Sequence, residues 1–178
     1  LGQRLTCARC HNHPMEKWTQ KQYYQLANLF ARVGQKQGGD PAETVVFAKT
    51  SGDVLHPRLL RPLEPAPLDG KALPLEASGD RRAHFAEWLT SPENPFFARN
   101  FVNRTWGAIM GRGLCDPVDD IRATNPASNE ELLNALTQDF VKSGYNVKKL
   151  IRTILTSGTY QLSSEANATN QSDNKHYS

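Results

Sequence analysis

No apolar run in this chain approaches the roughly 20 residues that cross a bilayer, so no membrane span is expected in it. Nor is there a basic stripe. Its 21 Lys and Arg stand against 18 Asp and Glu, a net charge of +3, and so balanced a mixture lacks the electrostatic footprint of a nucleic-acid binder. Three cysteines are too few for a disulfide framework. The patterns G-x-S-x-G, H-E-x-x-H and the Gly-rich phosphate loop are all missing, which removes direct support for hydrolase or nucleotide chemistry and leaves no catalytic residue to assign. A repeat of fixed period is missing too. Leu1 to Leu5 lack the charged-then-apolar order of a signal peptide, and the chain opens almost on its best motif without an initiator Met. The natural start, with any export signal, is therefore expected upstream.

What is present is 178 residues with 38% hydrophobic content, enough for one ordinary domain or two small ones. The expected class is mainly α: a bundle-like helical domain, a small β-hairpin and a Pro-rich connector. Thr19 predicts the cap of a helix through Val33, with Tyr23, Leu26, Ala27 and Phe30 on its apolar side and Gly34 as a stop. Gln35 to Pro41 reads as a loop. Thr44 to Phe47 and Val54-Leu55, joined by the turn signal Thr50 to Asp53, predict the hairpin. Five prolines between Pro57 and Pro74 forbid regular helix and read as an extended connector. Asp80 starts a helix to Thr90. Asn94-Pro95 opens another, rich in Phe and Trp, which Gly111 to Gly113 ends. Ser128 with Glu131 predicts a capping box, followed by the stripe Leu132, Leu133, Leu136, Phe140, Val141 and the stop Gly144; a last helix runs from Val147 to Thr156. The polar stretch 163–178 cannot bury enough apolar surface to order itself. The expected divisions are thus 1–56, a connector over 57–78, a helical domain over 79–162 and a tail over 163–178.

The chemistry lies in Cys7-Ala8-Arg9-Cys10-His11. In the C-x-x-C-H pattern two thiols about one turn apart can form thioethers to the two vinyl groups of a haem, and the following histidine can ligate the iron from one face. Zinc is the competing reading, since Cys7, Cys10, His11 and His13 are acceptable ligands with a distant donor such as His56. A redox or structural disulfide is the third. For a second axial ligand the candidates are His13, Met15, His56, His84, no ligand at all, or a residue from the upstream part; His56, held beside Pro57, ranks first. Trp18, Tyr23 and Tyr24 could flank a haem plane, although such stripes usually form core. Cys115 reads as a structural thiol. Asp116, Asp119 and Asp120 beside Arg112 and Arg122 could hold calcium, with salt-bridged loop charges as the ordinary alternative. Arg99, Asn103, Arg104 and Arg112 are the residues that could face an enzyme site completed from upstream.

Gly2 to Pro14, followed by Glu16 to Gln20 and Tyr23-Tyr24, resembles the end of the planctomycete cytochrome-C-like domain of unknown function. Trp88 to Pro92, Asn94 to Arg99, Val102 to Arg104, Gly111 to Leu114, Thr124 to Pro126, Glu131 to Leu133, Leu150 to Arg152 and Thr159 to Gln161 resemble its usual partner, the planctomycete PSD-type domain of unknown function. The resemblance covers nearly the whole chain. It implies that 1–56 ends a cytochrome-c-like domain and that 79–162 is PSD-type, within a larger exported protein. In family terms Cys7, Cys10 and His11 match the haem motif and His56-Pro57-Arg58 a recurring phrase; Met15 stands where an aromatic residue is expected. The expected function is a c-type cytochrome-like electron-transfer module carrying haem c, periplasmic or at the cell surface, meeting a redox partner protein and the upstream part of its own chain. The alternative is a non-haem module, with zinc or a disulfide at the motif, that recognises a protein or glycan.

Overall fold

A computed structural model describes residues 1–163, 165 and 167–172. The expectation of an unstructured tail thus falls partly on residues outside the described ones. The chain forms two compact units, Leu5–Ser91 and Leu1–Arg4 with Pro92–Ser178.

The first unit begins with a 3-10 turn, Thr6–Arg9, and α1 (Gln20–Leu29). Thr19 caps α1 as expected: its side chain accepts from the Gln22 N–H and Gln22 reaches back, a reciprocal box. The helix stops four residues short of Val33, because Val33 opens a strand. β1 (Val33–Gln37) pairs antiparallel with β2 (Thr44–Ala48), Gly34 opposite Phe47. The expected loop from Gln35 is therefore half strand, and the partner of β2 is β1 rather than Val54-Leu55. Gly34 leaves room for the Phe47 ring to lie over it, since a Cβ there would stand 2.6 Å from that ring. Leu55–His56 (β3) pairs instead with Arg61–Pro62 (β4).

The buried face of α1 is not the aromatic stripe. Phe30 is 42% exposed, whereas Asn28 is 0% and Leu29 1% exposed. Asn28 is buried because every polar atom it carries inward is used. Its Nδ2 donates to the Leu63 carbonyl at 2.6 Å, and its Oδ1 accepts from the Val54 N–H at 2.9 Å. Segment 57–78 is packed rather than merely extended: Leu63, Pro65, Ala66 and Leu68 are buried, and the Ala66 N–H donates to the Gln25 carbonyl of α1 at 3.2 Å. α2 (Arg81–Thr90) starts at Asp80, whose carboxylate accepts from the Arg82 N–H. Its buried residue is Arg81, while Phe85 and Trp88 are half-buried.

The second unit is built on area. α3 (Phe97–Met110), α4 (Glu130–Lys142) and α5 (Val147–Leu155) enclose Val102, Trp106, Leu133, Leu136, Phe140, Leu150 and Ile154, with a short α6 (Gly158–Gln161) behind. Phe101 and Phe140 stack at 5.1 Å between centroids. Asn94 Oδ1 accepts from the N–H groups of Phe96 and Phe97, and Gly111, at φ 80, ends α3 in the left-handed conformation only glycine adopts freely. The cap of α4 lies one residue beyond the expected Ser128. Asn129 Oδ1 accepts from Leu132 N–H, while the Ser128 N–H is drawn off to the Leu114 carbonyl at 2.7 Å. Glu130, not Glu131, reaches back, to the Ala127 N–H at 2.9 Å. Leu1–Arg4 join this unit through the Ile121 N–H, which donates to the Gly2 carbonyl at 2.8 Å, and through Arg4 on Asp119 at 2.9 Å. Among the described residues six α-helices and two small antiparallel pairs thus make a mixed fold of helices with small hairpins.

Candidate functional site

Ala8 is fully buried and pins the 3-10 turn, so Cys7 and Cys10 on either side of it are both exposed free thiols. The turn is tied to the start of α1. Gln20 Nε2 donates to the Arg9 carbonyl at 3.0 Å, and the Gln20 N–H donates to Asn12 Oδ1 at 3.0 Å. Trp18, only 2% exposed, anchors the loop between them, its carbonyl accepting from the His13 N–H at 2.8 Å.

The hydrogen bonds sort the histidines. His11 Nδ1 lies 2.6 Å from the Asn12 carbonyl oxygen. A carbonyl can only accept, so Nδ1 carries a proton, and in the neutral ring the lone pair is then on Nε2, a tautomer in which Nε2 can ligate a metal. His13 is the opposite case: its Nδ1 accepts from the Met15 N–H at 3.2 Å. So is His56. Its Nδ1 accepts from the N–H groups of Arg58 and Leu59, each at 3.3 Å, and its ring, 5% exposed, packs on Tyr24 at 5.2 Å. In that state the His56 proton is on Nε2, and the ring serves its own turn. His84 Nε2 donates to the Lys71 carbonyl at 2.7 Å. Among the described residues no three His, Cys, Asp or Glu side chains are gathered as a shared ion would require. Met15 is 58% exposed.

The other candidates have structural employment. Asp119 faces Arg4 at 2.9 Å, Asp120 faces Arg122 at 3.2 Å and Arg4 at 3.7 Å, and Asp116 faces Arg112 at 3.6 Å. The hydrogen bond from Arg4 holds the Asp119 carboxyl below its ordinary range. Arg99 bridges α3 to α4 through Glu130 and Asn134, at 2.7 Å to each. Asn103 is fully buried, exchanging bonds with the backbone of Cys115 at 2.8 Å each way. Cys115 is 1% exposed, and burial pushes its thiol up, leaving it protonated and donating toward the Asn125 carbonyl at 3.2 Å.

Sequence reasoning missed a buried polar network in the first unit. The Arg81 side chain, 1% exposed, gives Nη1 to Asp53 at 2.7 Å and to the Asn28 carbonyl at 3.1 Å, and Nη2 to the Leu75 carbonyl at 2.9 Å. An arginine directly after a helix cap looks like any solvated first-turn residue, so the sequence carried no signal for it. A cleft of about 550 Å³ lies in the same unit, lined by Arg32, Lys49, Thr50, Glu76, Ser78 and Asp80 among others. Its Arg32 guanidinium is spent on the carbonyls of Gly52, Leu75 and Ala77.

The chain thus has a small polar-centred unit that carries an exposed Cys-x-x-Cys-His turn and a unit of packed helices. The chain belongs to the PSD1 family, a protein family of unknown function (DUF1553), whose model matches residues 81–178, more than half of the chain. Residues 1–35 match the model of PSCyt2, also a family of unknown function (DUF1549). Both are planctomycete-type domains, as the resemblance implied. Neither a curated protein nor a solved structure matches the chain.

Proposed function

We propose that the chain is part of an exported c-type cytochrome-like redox protein, in which Cys7 and Cys10 attach haem c and His11 binds its iron through Nε2. The observation that carries this reading is the Nδ1–H bond of His11 to the Asn12 carbonyl, which in the neutral ring puts the lone pair on Nε2 of the residue that follows the exposed thiols Cys7 and Cys10. Each thiol adds across a vinyl group without a leaving group, so attachment needs accessible sulfurs and no further catalytic residue. Bound there, haem supplies a one-electron couple whose potential follows from its axial ligand and local burial. The ligand assignment does not extend to His56, because its Nε2 carries the proton while Nδ1 holds the turn. A periplasmic or cell-surface location follows from where thioether maturation operates, and the electron would pass to a redox partner protein. Helices α3, α4 and α5 are read as a small bundle-like scaffold of the second module.

The test is a visible spectrum of protein made in a host with haem-maturation machinery. A sharp reduced α-band that resists acid-acetone extraction is expected, lost from covalent linkage in a Cys7→Ala, Cys10→Ala double variant and shifted in His11→Ala. A matured sample that is colourless, with the thiols free, bridged or binding zinc, overturns the proposal.

A further inference from the structure

Between β3 and β4 the chain turns outward and places three leucines in water: Leu55 is 58%, Leu59 49% and Leu60 79% exposed. Leu60 stands at φ 53, a left-handed conformation that glycine adopts freely and leucine only at a cost. A strained backbone that displays an apolar side chain, where a glycine would fit without strain, points to a use for that side chain.

The turn is held rigid from below. The His56 ring, packed on Tyr24, accepts from Arg58 and Leu59 N–H, and the His56 carbonyl accepts from Leu60 N–H at 2.8 Å. Arg58 and Arg61 flank the two tip leucines and are both exposed; among the described residues neither has an ion-pair partner. No carboxylate occurs in Leu55–Pro62, and Asp53 just before it is taken by Arg81.

We propose that this turn inserts into an anionic phospholipid surface, Leu59 and Leu60 entering the headgroup layer while Arg58 and Arg61 meet the phosphates. The arginines decide the sign of the surface, since unpaired cations beside an apolar tip favour anionic lipid. Size decides against a protein pocket. A stable protein interface takes about 800 Å² from each partner, far more than the tip of one turn offers, whereas a lipid layer accommodates a small convex wedge. This is a surface attachment, and no helix among the described residues is long and apolar enough to cross a membrane.

Flotation of the full chain with phosphatidylcholine vesicles containing about 30% phosphatidylglycerol tests this. The protein should float with these vesicles, much less with pure phosphatidylcholine, and less again at about 0.5 M salt, where surface charge is screened. Leu60→Gly suits the left-handed backbone, so its melting temperature should be unchanged or higher while partitioning falls about tenfold. Arg58→Gln and Arg61→Gln should each weaken it about fivefold. Leu162→Ser removes a leucine whose exposure, 67%, falls between those of Leu59 and Leu60 but which lies elsewhere, and should change nothing. Absence of flotation, or a Leu60→Gly protein that floats as well as its parent, overturns the proposal. So does a concentration-dependent dimer abolished by Leu60→Gly, which would give the surface to a second copy.

Discussion

The two units are held together in different ways. In Leu5–Ser91 the centre is polar: Asn28 and Arg81 are almost completely buried, and they join α1, α2, Asp53, Leu63 and Leu75 by directed hydrogen bonds. In Pro92–Ser178 the centre is a continuous apolar cluster between α3, α4 and α5. Apolar burial is roughly proportional to area and indifferent to direction, so the second unit tolerates change at one position by loosening a little. A buried guanidinium has no such latitude, because each acceptor it leaves behind is stranded away from water. The Cys7 to His11 turn and the leucine turn both lie on the unit whose interior is directional.

Replacing the hub of the polar unit is the strongest way to break this comparison. Arg81→Met roughly keeps the volume but strands the acceptors on Asn28 and Leu75 and leaves Asp53 without its partner, and about 4 kcal/mol of stability should be lost. Denaturant titration gives the size, and hydrogen exchange should show the loss over residues 20–29 and 53–81. In the apolar unit Leu133 is 0% exposed, and Leu133→Ala should cost about 3 kcal/mol through lost transfer energy and the cavity left behind. Its effect should appear in α3, α4 and α5. Should both substitutions loosen the same amides, the distinction between a directional and an area-driven interior fails.

That contrast explains how much was legible in the sequence. The helices of the second unit follow from their apolar spacing: Leu133, Leu136 and Phe140 recur every three or four residues and are the ones buried. The segment Cys7 to His11 stood out in the sequence too, because cysteine and histidine at fixed spacing are distinctive whatever surrounds them. The polar unit was not. A sequence pattern registers periodic apolar residues, and the aromatic side of α1 satisfied that pattern while Asn28 on another side took the buried position. β1 was hidden for the same reason, since Gly34, Gln35, Lys36 and Gln37 have little intrinsic strand preference and are strand only because β2 pairs with them. The tautomer of His11 was equally out of reach, being fixed by a carbonyl whose position depends on the turn.

The smallest effect sharpens the comparison at the level of a single hydrogen bond. At the exposed start of α4 local capping should be worth its ordinary value. Asn129→Ala removes the acceptor of the Leu132 N–H at an exposed helix start, and about 1 kcal/mol should be lost. Ser128→Ala, the substitution at the cap expected from sequence, should leave stability within about 0.5 kcal/mol of the parent, since what holds Ser128 is its backbone N–H on the Leu114 carbonyl. Melting temperatures of the two variants decide the matter. If Ser128→Ala proved the costlier, the helix would begin where the pattern Ser-x-x-Glu put it, and α4 would need redrawing by one residue.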